Sequence, residues 1–133
     1  MPRRHRTDPL SPMQGLRVLV VEDNWLIAET ICDLLVDRGC TVVGPAPDTE
    51  RGLRLLADER PDGALLDINL AGTLSFPLAS VLQDRGVPFV FMTGYDDGAI
   101  FPPEFRAVRR IAKPFDVNDV LDVLEVWGRL ARA

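Results

Sequence analysis

Five times along this chain a short aliphatic or β-branched run gives way to a stretch with helical spacing. That alternation limits the fold more than any other feature. Residues 16–21 read as a strand buried on both faces, and runs at 41–43, 64–66, 89–92 and 108–112 follow as further strands. Asn24 can cap a helix that places Ile27, Ile31, Leu34 and Leu35 on one face, with Gly39 as its stop. Asp48 caps a second helix with Leu53, Leu56 and Ala57 inward and Gly52 as a weak point. A third spans 76–85, with Pro77 in its first turn and Gly86 after its end. Asp116 caps the last, with Val117, Val120, Leu124 and Trp127 on one face. Between the fourth and fifth strands, Pro102 and Pro103 leave room for one or two helical turns. Arg109 and Arg110 make the fifth strand polar, which suits a sheet edge. The expected fold class is α/β: a doubly wound, five-stranded parallel sheet with a short or irregular fourth helix, whose first and third strands are neighbours if the order is 2-1-3-4-5.

Length and charge bound the rest. At 133 residues the chain holds one domain, expected over 16–131 after a flexible tail at 1–15. Net charge is −5, although the tail itself is basic through Arg3, Arg4 and Arg6. An acidic domain argues against nucleic acid as a partner. No apolar run approaches the ~20 residues of a membrane span, and Met1 is not followed by the apolar stretch of a secretory signal. Cys32 and Cys40 are too few for a disulfide framework, so a cytoplasmic setting with free thiols is expected. His5, without companions, reads as solvated. Trp127 reads as core, whereas Trp25 suits either a helix-start core position or the mouth of a pocket.

In open parallel sheets, ligands bind beyond the carboxyl ends of the strands. Here the first strand ends in Glu22 and Asp23, the third in Asp67 and the fourth in Thr93, and the fifth runs into Lys113 and Pro114. With first and third strands adjacent, three carboxylates converge. Such crowding calls for protonation or a cation. An all-oxygen set without nearby His or Cys suits Mg²⁺ rather than zinc. A hydroxyl and an ammonium beside that metal suit a phosphoryl group, and a carboxylate can act as its nucleophile.

Those residues give the chain its resemblance. Val21-Glu22-Asp23-Asn24, Leu66-Asp67-Ile68-Asn69, Thr93-Gly94 and Lys113-Pro114-Phe115 resemble the motifs of a two-component response-regulator receiver domain. Asp67 follows Asp23 by 44 positions and Lys113 follows Thr93 by 20, as in receivers. The resemblance implies a flavodoxin-like fold with Asp67 as phosphoacceptor. It implies Mg²⁺ held by Glu22, Asp23, Asp67 and the backbone carbonyl of Asn69. It also implies phosphoryl contacts from Thr93 and Lys113, a glycine at Gly94 that leaves the phosphoryl group room, and a cis bond before Pro114. Side chains at Asn69 and Tyr95 would tune phosphoryl lifetime. The string from Pro88 to Tyr95 is similar to the signature of FATGUY receivers, with Met92 in place of alanine. Those are largely stand-alone receivers associated with HWE-type histidine kinases. Arg110 departs from the pattern, because receivers usually carry an aromatic switch residue there. The segment from about Tyr95 to Arg106 is therefore the expected place for phosphorylation to act, by ordering it.

The implied protein is a signalling phosphoacceptor rather than an enzyme. Its donor would be a histidine kinase or phosphotransfer protein, its output a protein contact, relay step or phosphate sink, and its default state a monomer. A phosphohydrolase would want an acid where Asn69 stands. A nucleotide- or flavin-binding domain would want glycines where Glu22-Asp23-Asn24-Trp25 stand. The remaining alternative is a receiver-like binding module that works without phosphorylation.

Overall fold

Strand β1 (Arg17–Val21) sits beside β3 (Gly63–Asp67), and the reason lies in their composition. Val18, Leu19, Val20, Val21, Ala64, Leu65 and Leu66 are all within 1% of complete burial, so both faces of both strands must be covered. The computed structural model of the protein describes residues 11–94 and 101–132. Its main sheet is parallel, in the order β2-β1-β3-β6-β7, where β2 is Thr41–Ala46, β6 Phe89–Thr93 and β7 Arg110–Ala112. Counting only the strands of this sheet, it is the 2-1-3-4-5 order that the receiver resemblance implies.

Helices cover the two faces. On one, α1 (Trp25–Asp37) and α4 (Val117–Arg132) bury Ile31, Leu35, Val120, Val123, Leu124 and Trp127 against Val18, Val20, Leu65, Val90 and Ile111. On the other, α2 (Thr49–Asp58) and α3 (Phe76–Asp84) cover Leu19, Val21, Leu66 and Phe91. Each fully buried Leu, Ile, Val or Phe contributes about 1.5–3 kcal/mol of transfer free energy. Asn24 caps α1, accepting from the amides of Leu26 and Ile27 at 3.0 and 3.1 Å. Asp48 and Asp116 accept likewise from Arg51 and Asn118, at 2.8 Å each.

Several expectations need correction. Helix α2 is rotated from the expected face: Thr49, Gly52 and Leu56 point inward, while Leu53 and Ala57 are exposed. Gly52 is a point of close approach to α3, since a Cβ there would lie 2.8 Å from Leu78 Cδ2. A residue read as a weakness is thus a packing contact. In α4, Val123 takes the buried place expected of Val117, which is 45% exposed. The fifth strand starts at Arg110 rather than Val108, because the Val108 amide donates to Phe105 O in a turn that follows a 3₁₀ helix (Pro103–Phe105). That 3₁₀ helix is the only helical piece between β6 and β7 among the described residues. The second strand runs on to Ala46 through a cis Gly44–Pro45 bond.

Residues 11–15, expected as tail, are part of the packed body. Met13 packs against the α1–α4 core, and Gly15 N–H donates to Gly39 O at 2.7 Å. The Arg132 guanidinium donates to the carbonyls of Ser11 and Gln14. Pro12 lies so close to α4 that only glycine fits at Gly128. Non-periodic apolar residues such as Met13 give no sequence signal for this contact. No described helix is long and apolar enough to cross a membrane.

An additional small element follows β3. Strands β4 (Asn69–Leu70) and β5 (Thr73–Leu74) form an antiparallel hairpin before α3. At two residues per strand it lies below the length at which alternation can be read.

Candidate functional site

The carboxyl end of β1 delivers Glu22 and Asp23, and that of β3 delivers Asp67. One carboxylate oxygen from each lies within 4.8 Å of the others. Their environments differ. Glu22 and Asp67 are 3% and 4% exposed, while Asp23 faces solvent. Glu22 is fixed by the amide of Asn24, which donates to its Oε2 at 3.0 Å.

Lys113 enters from the end of β7. Its amide donates to Thr93 O at 2.8 Å, and the following bond to Pro114 is cis. Its Nζ lies 2.9 Å from Glu22 Oε1 and 3.0 Å from Asp67 Oδ2. One ammonium therefore bridges two buried carboxylates. Asp67 is pushed up to about 7, first by burial and then by the neighbouring Glu22 charge, with Lys113 working against both. For Lys113, burial would lower the pKa, but its bonds to Glu22 and Asp67 outweigh that and raise it. One cation leaves the cluster short of positive charge.

The cleft over these groups is lined by Glu22, Asp23, Asn24, Asp67, Asn69, Ala71, Gly72, Gly94 and Lys113, among others, and holds about 480 Å³. Thr93 ends β6, paired with Ala112, with its carbonyl bonded to Lys113 N–H; it is not among the described residues that line the cleft. Tyr95 lies outside the described residues. Arg110 is not in the cleft: its guanidinium stacks over the Phe101 ring at 3.7 Å from the centroid. Asn69 lies at the rim with its side-chain oxygen accepting from Gly72 N–H at 2.8 Å. Trp25 is 74% exposed, so it is not a core residue; it borders a neighbouring groove with Glu22 and Asp23 rather than the cleft itself. The rim residues Ala71 and Gly72 were missed from sequence; an asparagine three positions before a glycine was the available signal. Cys40 is buried, which pushes its thiol up to about 11, and Cys32 is half-buried and also raised by burial, so neither is poised to react.

A doubly wound sheet with a buried carboxylate, two further acids and a lysine at its carboxyl edge defines an α/β domain with an acidic pocket. The comparisons identify the family. The response regulator receiver domain model matches residues 18–125, and the chain belongs to that family. Among curated relatives, the sensory transduction protein LytT of Bacillus cereus is 34% identical over 117 residues, covering 86% of this chain and 48% of its own length. The chain spans about half the length of the LytT proteins it matches. Among solved structures, SdrG from Sphingomonas melonis Fr1 is 35% identical with a TM-score of 0.74, covering 85% of this chain and 96% of that one. The receiver domain of the sensor histidine kinase PA1611 from Pseudomonas aeruginosa PAO1 shares the fold at 23% identity and a TM-score of 0.69, over 86% of this chain and 98% of that one. Its structure has a magnesium ion coordinated in the active-site cleft.

Proposed function

We propose that this receiver accepts a phosphoryl group on Asp67 from the histidine of a kinase or phosphotransfer protein, with Mg²⁺, and passes the signal on through protein contacts. One observation carries the reading: a buried carboxylate at the floor of an open cleft, bridged by Lys113 to Glu22 and within reach of Asp23. The all-oxygen donor set fits Mg²⁺. Glu22, Asp23, Asp67 and the Asn69 carbonyl would hold the metal, which when bound neutralises phosphoryl oxygens and crowded carboxylates.

The chain's own groups do the rest. An Asp67 oxygen forms the new P–O bond as the donor's P–N bond breaks, and the electron pair stays on the imidazole. Lys113, already 3.0 Å from Asp67, is placed to pair with a phosphoryl oxygen. The Thr93 hydroxyl would hydrogen-bond another, and Gly94 adds no side chain in the way. Catalysis of this kind is mostly positioning and charge neutralisation. With Arg110 stacked on Phe101, the usual coupling of Thr93 to an aromatic residue at that position is not available. The finer reading, a FATGUY-type receiver served by an HWE-type kinase in the cytoplasm, rests on the string Pro88 to Tyr95. Tyr95 would tune phosphoryl lifetime.

Incubation with acetyl phosphate and Mg²⁺, followed by intact-mass measurement, tests the reading. A one-phosphoryl gain that disappears in Asp67→Asn and with a chelator is expected. No gain from acetyl phosphate or from a panel of histidine kinases would replace it with a binding module that works without phosphorylation.

A further inference from the structure

The hairpin beside the cleft has an unusual turn. Its two central residues, Ala71 and Gly72, have φ of 54° and 93°. A two-residue hairpin turn with both φ positive favours asparagine followed by glycine. Alanine at the first place meets the steric penalty of left-handed backbone. Ala71 is the only non-glycine residue at positive φ among those described.

Something must hold the turn, because two-residue strands give little cooperative pairing. The base is anchored: Ile68 and Leu70 are buried, Ser75 N–H donates to Ile68 O at 2.9 Å, and Thr49 Oγ1 donates to Leu74 O at 3.4 Å. Among the described residues, one side chain bonds the tip: Asn69 Oδ1 accepts from Gly72 N–H at 2.8 Å. Asn69 is also the residue whose backbone carbonyl faces the metal in the function proposed above.

We propose that the Asn69 side chain is a positioning residue: by clamping the strained Ala71–Gly72 turn, it fixes its own carbonyl and the cleft rim for the divalent cation. This inference rests on the proposed function and gives Asn69 a part distinct from tuning water. Its amide oxygen is already engaged by the turn, while Ala71 and Gly72 form the rim beside Asp67. Groups that orient metal ligands without touching the metal commonly change affinity by 10–100-fold when removed.

The test is Mg²⁺ affinity by calorimetry, together with hydrogen exchange of the Gly72 amide, in the full chain. Asn69→Ala should weaken Mg²⁺ about tenfold and speed Gly72 exchange. The double variant Asn69→Ala, Ala71→Asn, which installs the residue the turn prefers, should regain most of the affinity. Ala71→Asn alone should raise the thermal midpoint, a readout that survives if Asn69→Ala does not fold. Unchanged affinity in Asn69→Ala despite faster Gly72 exchange would overturn the proposal. So would unchanged Gly72 exchange, or an Ala71→Asn variant no more stable than the parent. A parent protein that binds no Mg²⁺ would instead overturn the functional reading.

Discussion

At the ends of β1 and β3, three carboxylates crowd together, and one ammonium bridges two of them. One strand further, around β6, five phenylalanines (76, 89, 91, 101 and 105) meet at centroid distances of 5.2–6.1 Å, with Arg110 stacked on Phe101. The first region is held by charge and answers to protons, salt and metal. The second is held by ring packing and should be indifferent to all three. The difference places the charged groups at the carboxyl ends of the strands and a packed aromatic block around β6, joined by Thr93–Lys113 backbone pairing.

The largest expected effect lies in the aromatic region. Phe91→Ala removes a fully buried ring and should cost about 4 kcal/mol in urea denaturation, at the same magnitude at pH 5 and pH 8. A marked pH dependence would break the contrast. Lys113→Ala leaves Glu22 and Asp67 without their shared cation. With chelator at pH 8 it should cost about 2 kcal/mol, below the usual buried-pair penalty because the cleft is open. That cost should shrink at pH 5, where Asp67 can take up a proton.

Asp67 itself sharpens the contrast through pH. A carboxyl whose pKa is higher in the folded state than in the unfolded chain favours folding while protonated. Its contribution is present below about pH 4 and is lost as pH rises through about 7. Lys113, raised rather than lowered, keeps its proton across that window. Metal-free protein should therefore lose stability over this range. Asp67→Asn should flatten that slope and be about 1–2 kcal/mol more stable at pH 8. The smallest effect is Arg110→Ala, about 0.5–1 kcal/mol for an exposed cation–π contact, with acetyl phosphate labelling unchanged.

What the sequence made legible follows the same division. Alternating apolar runs marked the strands and a parallel sheet, the motif resemblance supplied the strand order, and the acids and Lys113 that meet in the cleft are those at strand ends. The hairpin was illegible because its strands are two residues long and an alanine carries the left-handed turn. The α2 face was misread because hydropathy does not mark Gly52, whose value lies in having no side chain against Leu78. The docking of Pro12 and Met13 escaped because it follows no period.

The two tryptophans fall one on each side of solvent. Trp127 is 4% exposed, its ring pressed against Gly63, where a Cβ would come within 2.2 Å. Trp25 is 74% exposed beside Asp23. Iodide should quench Trp25 and spare Trp127, and their emission maxima should separate. The protein thus carries one native optical probe in the groove that Trp25 shares with Glu22 and Asp23, alongside a second that reports only global unfolding, with no label attached.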